Sequence, residues 1–420
     1  MTITSVRFDV SVPRFVMARS LGRLSDSFFY GLPSGVRRVT HEPLRLPGAS
    51  WVRAEVVLAG ICGSDIGNLT YAASPAMEPF GSFPAVLGHE ILARVTEVGA
   101  DVRSINVGQR VAVDPFIHCQ VRGWSTGHWC RSCQEGRHAT CENAGEEGPL
   151  QIDGNPFAPG LTQGYHRSLP GGWSTEIIAH ESQLFAVDEI GLDRSAVLLE
   201  PLAVAMHAVL NAPPRHVSEP VLVLGSGPIA LGTIWALRAT GFEGEIFAQT
   251  KRQHETEIAR ALGASQVIRP GDEAREALVG TGAQAYMPIV GEEVYSGGGF
   301  PLIFDCVGSG QTLTQGLRYV SPRGRIVMLG CAAQIPRLDL TFVWAREVGI
   351  QGFVGYGQEQ WRGETRHTFE ITRDLLVETA APVERMVTHV FPLSQTHEAL
   401  SAAGNRRRSG SVKVLFDPTL

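Results

Sequence analysis

Four cysteines crowded between Cys119 and Cys141 constrain this chain more than any other feature. Ten residues separate Cys119 from Cys130, two separate Cys130 from Cys133, and seven separate Cys133 from Cys141. The Cys-x-x-Cys hook sets two thiolates on one metal ion, and four sulfur donors suit tetrahedral Zn²⁺ in a closed, structural site. Disulfide pairing is the competing reading. It requires an oxidising compartment, and the opening residues MTITSVRFDVSVPRF lack the apolar run of a secretory signal. His118 and His128 lie close enough in sequence for either to replace Cys119 as the first ligand.

The 420 residues suffice for two or three domains. A net charge of −6 excludes general affinity for nucleic acid or an anionic membrane. No apolar stretch is long enough to span a bilayer, so a cytoplasmic globular protein is expected. The basic run Arg406 to Arg408 reads as a solvated turn before a closing strand over 411–416.

Short β signals and turns fill the first half, as at 51–59 and 107–113. From about Pro201 the texture changes. A helix over 201–210 with proline in its first turn is followed by an apolar strand over 221–224, a glycine turn and a helix over 228–240. Further strands at 245–248, 302–305 and 325–329 alternate with helices, one of them ending at Gly263, which indicates a parallel sheet in an α/β domain. A helix near 368–378 and final strands return to the first texture. Residues 143–170 and 286–300 read as loop insertions.

The segment Gly225-Ser-Gly227-Pro228-Ile229-Ala230 follows an apolar strand and opens a helix. Gly225 permits the tight turn, Gly227 lets a pyrophosphate approach the backbone, and Ala230 keeps the helix close to the strand. This predicts a dinucleotide site. The second strand ends in Thr250-Lys251-Arg252, with no acidic residue at the position that accepts a ribose 2′-hydroxyl. A hydroxyl followed by two cations suits a 2′-phosphate, so NADP(H) is favoured over NAD(H).

Cys62-Gly-Ser64-Asp65, Gly88-His89-Glu90 and Glu200 add a thiolate, an imidazole and carboxylates. Each has a dull explanation alone: a buried cysteine, a strand-end histidine, a glutamate at a helix start. Taken in this order with the cysteine lobe, Gly171-Gly-Trp-Ser174, Glu200-Pro-Leu-Ala203, the glycine fingerprint and Phe304-Asp-Cys-Val-Gly308, the chain resembles the zinc-containing medium-chain dehydrogenase/reductase (alcohol dehydrogenase) superfamily, nearest its polyol, threonine and formaldehyde dehydrogenase branch. The resemblance runs from about Trp51 to Phe416.

It implies an α/β chain in two parts: a GroES-like β-rich catalytic domain over 1–203 with a structural zinc lobe near 118–142, and a Rossmann doubly wound parallel-sheet cofactor domain over 204–352. Residues 353–420 then return to the catalytic domain. It implies two zinc ions per chain, one catalytic on Cys62, His89 and Glu90 with Glu200 as an exchangeable carboxylate, and one structural on Cys119, Cys130, Cys133 and Cys141. Ser64 matches the hydroxyl that takes the substrate alcohol's proton, and Asp65 a residue bracing the loop. The substrate is then a small-molecule alcohol, aldehyde or ketone, neutral and moderately bulky rather than a phosphorylated sugar, and the assembly a homodimer or homotetramer.

Two departures stand out. Relatives commonly carry a histidine five residues after the catalytic cysteine to relay the proton outward, where this chain has Gly67; His41 and His207 are the substitutes to consider. The lobe also holds an insertion at 120–129, with Trp124 and Trp129 beside it. Tyr71, Met77 and Phe80 are candidates for pocket walls or for plain packing. Two other functions fit the same fold: NADPH-dependent reduction of a polarised C=C or C=N bond, and non-catalytic cofactor binding.

Overall fold

The computed structural model describes residues 2–22, 24–330 and 334–420. The chain folds as two compact units, one formed by Met1–Glu200 with Tyr356–Leu420 and the other by Pro201–Gly355.

The first unit is organised on the strand Trp51–Ile61, whose β-branched and apolar side chains are buried along most of its length. It pairs antiparallel with Ile91–Val98, Glu176–His180 and Lys413–Phe416. Arg110–Val113, Leu184–Ala186 and Val387–Phe391 complete a seven-stranded sheet. Register decides the chemistry. Ala59 faces Ile91 and Ile61 faces Val414, so the end of one strand meets the beginnings of its two neighbours.

A smaller sheet joins Val36–His41, Ile3–Phe8 and Ala85–Val86. It and the helix Val12–Leu21 were not anticipated, although Ser11 as N-cap and a proline in the first turn mark that helix start. Within the expected insertion at 143–170, Gly148–Ile152 and Asn155–Phe157 form a hairpin. Asp153 and Gly154 turn it with positive φ at both positions, the geometry that matches strand twist. Gln284–Tyr286 likewise pairs with Val294–Ser296 inside the second insertion.

The second unit is a six-stranded sheet, parallel throughout, in the order Gln266–Ile268, Ile246–Gln249, Val221–Leu224, Phe300–Asp305, Val320–Met328 and Gly349–Gly352. That is the doubly wound dinucleotide-binding order, which reverses beside the first strand. Val221–Leu224 is buried at every position, as a central strand covered on both faces requires. Among the described residues no helix is long and apolar enough to cross a membrane.

Candidate active site and zinc lobe

Cys62 follows the strand Trp51–Ile61, and His89 and Glu90 lead into Ile91–Val98, so the antiparallel register sets the three side by side. One donor atom from each lies within 4.8 Å of the others. Sulfur, imidazole and carboxylate suit Zn²⁺, and three protein donors leave a fourth position open. The His89 Nδ1 is buried without a hydrogen-bond partner, 3.5 Å from Asp65 Oδ1. Asp65 Oδ2 accepts the Cys62 N–H at 2.8 Å. Asp65 thus fixes the loop and faces the imidazole, the place of an outer residue that orients a ligand.

Glu90 has a partner that sequence reasoning missed. Lys413 Nζ donates to both carboxylate oxygens, at 2.6 and 2.5 Å, and both side chains are 1% exposed. Room for this carboxylate comes from Gly60, where a Cβ would lie 1.7 Å from Glu90 Oε2. The signal was present: Lys413 stands alone in the apolar run Val412 to Phe416, on a strand buried at every position. Glu200 lies outside the 4.8 Å group but is coupled to it. Burial pushes its carboxyl up to about 7, with Glu90 raising it and His89, Lys413 and the Tyr356 hydroxyl opposing. Tyr356 Oη donates to Glu200 Oε1 at 3.2 Å.

Ser64 sits in the first turn of the helix Gly63–Leu69. Its Oγ lies 3.0 Å from Tyr165 Oη, which is also 2.8 Å from Asp65 Oδ1. Tyr165 comes from the inserted segment 143–170 and carried no motif. The histidines considered for the relay lie elsewhere: His41 bonds Ser5 Oγ at 3.0 Å, and the His207 ring packs on Phe353. Tyr71 packs against Phe8 and Phe15, the packing role, while Met77 and Phe80 are exposed.

In the lobe, Cys119, Cys130, Cys133 and Cys141 converge. Cys119 Sγ is 3.7 Å from Cys130 Sγ and 3.8 Å from Cys141 Sγ, and Cys130 is 4.0 Å from Cys141. Bonds of about 2.3 Å to one Zn²⁺ place tetrahedral sulfurs about 3.8 Å apart, whereas a disulfide holds them about 2 Å apart. The backbone N–H groups of Cys119, Cys130, Cys133 and Glu142 face the sulfurs at 3.4 to 3.5 Å, which favours thiolate. Hydrogen bonding from Cys133 pulls the Cys141 thiol down to about 6, while burial pushes Cys119 up to about 11. His118 turns away to stack on His138, and His128 bonds Ser125 Oγ. Cys119 therefore completes the group.

In the second unit Gly225 takes φ +119°, and a Cβ there would press on Val307 at 2.9 Å. Gly227 is the N-cap of the helix Pro228–Ala239, with Pro228 and Ile229 in its first turn and Ala230 buried. The helix N-terminus thus offers its N–H groups beside the glycine turn. Beyond the second strand, Thr250 Oγ1 bonds Thr256 Oγ1 at 2.8 Å. Arg252 pairs with buried Glu255 at 2.7 Å, and the Lys251 and Arg252 N–H groups reach the other Glu255 oxygen. Lys251 alone of the three points an exposed side chain outward.

Residues 48–189 match the family described as Alcohol dehydrogenase GroES-like domain, and residues 228–370 the one described as Zinc-binding dehydrogenase. L-idonate 5-dehydrogenase of Vitis vinifera is 26% identical over 386 residues, 91% of this chain and 93% of that one. Sorbitol dehydrogenase of Arabidopsis thaliana is 27% identical with the same coverage. Among solved structures, 2R,3R-butanediol dehydrogenase from Bacillus subtilis superposes with a TM-score of 0.70 at 22% identity, covering 99% of each chain. A zinc-binding dehydrogenase from Sinorhizobium meliloti bound to NADP gives 0.71 at 24%, covering 100% of each. This chain belongs to the zinc-containing medium-chain dehydrogenase/reductase superfamily, in its polyol and threonine dehydrogenase branch.

Proposed function

We propose that this chain oxidises a small neutral secondary alcohol, or reduces the matching carbonyl, using NADP(H) in preference to NAD(H) and two zinc ions per chain. The observation that carries this is the three-donor group Cys62, His89 and Glu90, with Ser64 in the first turn of the helix that Cys62 caps. Bound there, zinc supplies Lewis acidity toward the substrate oxygen, and the nicotinamide exchanges the hydride.

The chain's own residues do the rest. Cys62 and His89 would hold the ion, with Asp65 facing the imidazole to orient it. Glu90 serves as third donor to the extent that Lys413 releases one of its oxygens, and Glu200 is the carboxylate in reserve. Ser64 accepts the alcohol proton. Its partner Tyr165 holds the serine in place, its hydroxyl donating toward Ser64 Oγ and Asp65 Oδ1.

The second zinc is assigned to the four cysteines. The exposed Lys251 supports NADP(H); Arg252, committed to Glu255, supports it less. The relatives named above include L-idonate, sorbitol and 2R,3R-butanediol dehydrogenases, and vicinal diols, acyloins and other neutral secondary alcohols are the compounds to screen. Self-association into a homodimer or homotetramer is supported by the edge strand Gly349–Gly352, exposed along its length.

The test is zinc analysis of the purified chain with assays of that panel in both cofactors, repeated on Ser64→Ala. About two or more zinc ions per chain and alcohol oxidation cut at least a hundredfold by Ser64→Ala support the reading. Hydride transfer only to C=C or C=N bonds, unaffected by Ser64→Ala, overturns it.

A further inference from the structure

A third set of metal-binding side chains lies in the first unit and shares no residue with the two already described. Asp114 follows the strand Arg110–Val113, His138 opens the 3-10 turn His138–Thr140 of the cysteine lobe, and His367 is the N-cap of the helix Thr368–Val377. One donor atom from each lies within 4.8 Å of the others. Asp114 is 1% exposed and His367 5%. Asp114 Oδ2, His138 Nδ1 and His367 Nε2 are all buried, and none has a hydrogen-bond partner.

One orphaned buried polar atom is unusual in a folded protein; one on each of three residues whose donor atoms converge calls for an occupant. His367 Nε2 and Asp114 Oδ2 are 3.5 Å apart, too far for a good hydrogen bond. It is close to the edge of about 3.4 Å that bonds of 2.0–2.1 Å make around a tetrahedral Zn²⁺. The cysteine lobe shows the corresponding spacing for the longer zinc–sulfur bond, with sulfurs 3.7 to 4.0 Å apart.

We propose that Asp114, His138 and His367 bind a divalent cation of the Zn²⁺ class, which clips the cysteine lobe to the strand end and to the C-terminal segment.

The surroundings hold each donor in place, as metal sites require. Asp114 Oδ1 accepts the Phe116 N–H at 2.8 Å. The His138 ring stacks on His118 at 4.0 Å, and the His367 ring on Phe185 at 4.7 Å. His367 Nδ1 now accepts the Phe369 N–H at 3.2 Å. Ligation through Nε2 moves a proton to Nδ1 and gives up that contact. The other half of the cap, His367 N–H to Glu370 Oε2 at 3.1 Å, remains. The lobe already touches the same segment, where Gln358 N–H donates to Gly136 O at 3.0 Å. Two imidazoles and a carboxylate, with no thiolate, favour zinc or cobalt over soft cations, and water completes the tetrahedron.

The experiment counts metal in the full chain purified from zinc-replete medium, for the wild type, Asp114→Asn and His367→Gln. Each variant is expected to hold one equivalent less than the wild type. A second measurement needs no variant. Protein produced in cobalt-supplemented medium is expected to contain one more Co²⁺ than its thiolate-to-cobalt absorption accounts for. Equal metal content in folded variants and wild type, or cobalt fully accounted for by thiolate sites, overturns the proposal and leaves the cluster holding a water only.

Discussion

The cysteine lobe takes all four of its donors from residues 119–141, whereas the site at Cys62 takes one from the end of a strand and two from the start of its antiparallel neighbour. The lobe's donors are alike, and their sulfurs stand 3.7 to 4.0 Å apart, the spacing of a tetrahedral zinc site. At the other site Glu90 is already engaged by Lys413, and Glu200 stands outside the group. A closed site built locally contributes its binding free energy to folding; an open one held by the sheet register keeps a coordination position for chemistry. The two should therefore fail differently.

His89→Ala is expected to give the largest effect, and in activity alone. Losing the ion's electrostatic contribution, several kcal/mol, lowers kcat/KM at least about a thousandfold. The unfolding midpoint should move little, because the donor replaced is not a staple of the fold. Steady-state kinetics with thermal unfolding check both; a fall in stability matching the fall in activity would erase the contrast. Cys133→Ser is the converse. It should empty the lobe and cost about 4 kcal/mol or more of stability, with kcat per folded molecule nearly unchanged, as read by denaturant titration with zinc analysis.

How much of this could be read from residues follows the same division. The lobe and the glycine fingerprint are legible because their residues are neighbours in the chain and their spacing carries the geometry. The first lobe ligand is not: spacing allows His118, and only the packed structure turns that ring onto His138. Lys413 and Tyr165 meet the site across 323 and about 100 residues of chain, where no local pattern points. The hairpin Gly148–Phe157 was legible in Asp153-Gly154, a turn signal that outweighs the loop-like composition around it. Arg252 shows the opposite limit. Its charge is visible in the sequence, but its commitment to Glu255 depends on the helix cap three residues on.

Lys413→Met sharpens the comparison from the side of the open site. Glu90 would be left as a buried, unpaired carboxylate, at a cost of about 3–4 kcal/mol. The double variant Lys413→Met with Glu90→Gln is expected to recover much of that loss, since no charge remains to be paired. A double-mutant cycle by denaturant titration measures the coupling. Additive losses would mean that the pair does not share its charge, and that Glu90 is held by something else.

The smallest effect is a pH dependence at Glu200, read on chelated protein so that no ion intervenes. Burial lifts its carboxyl in the folded state to about 7, against about 4.3 in an unfolded chain. The folded state therefore binds the proton more tightly than the unfolded state, and ionisation opposes folding. The penalty is absent below about pH 4, grows as pH rises through the interval between the two values, and is complete above about 7. Glu200→Gln removes the titration. Relative to the wild type, the variant should gain nothing at pH 4 and up to about 3 kcal/mol at pH 8. Denaturant titrations at those two pH values check this. Tyr356→Phe should act in the opposite sense and more weakly, because the tyrosine hydroxyl opposes the rise. Its loss pushes the carboxyl further up and deepens the wild-type penalty at pH 8. The same pair of substitutions in the presence of zinc then separates the sites once more. If Glu200 is the reserve ligand, zinc at the open site takes its carboxylate ionised and removes the penalty at pH 8 that Glu200→Gln relieves, while zinc in the lobe, which has no carboxylate donor, leaves that penalty in place.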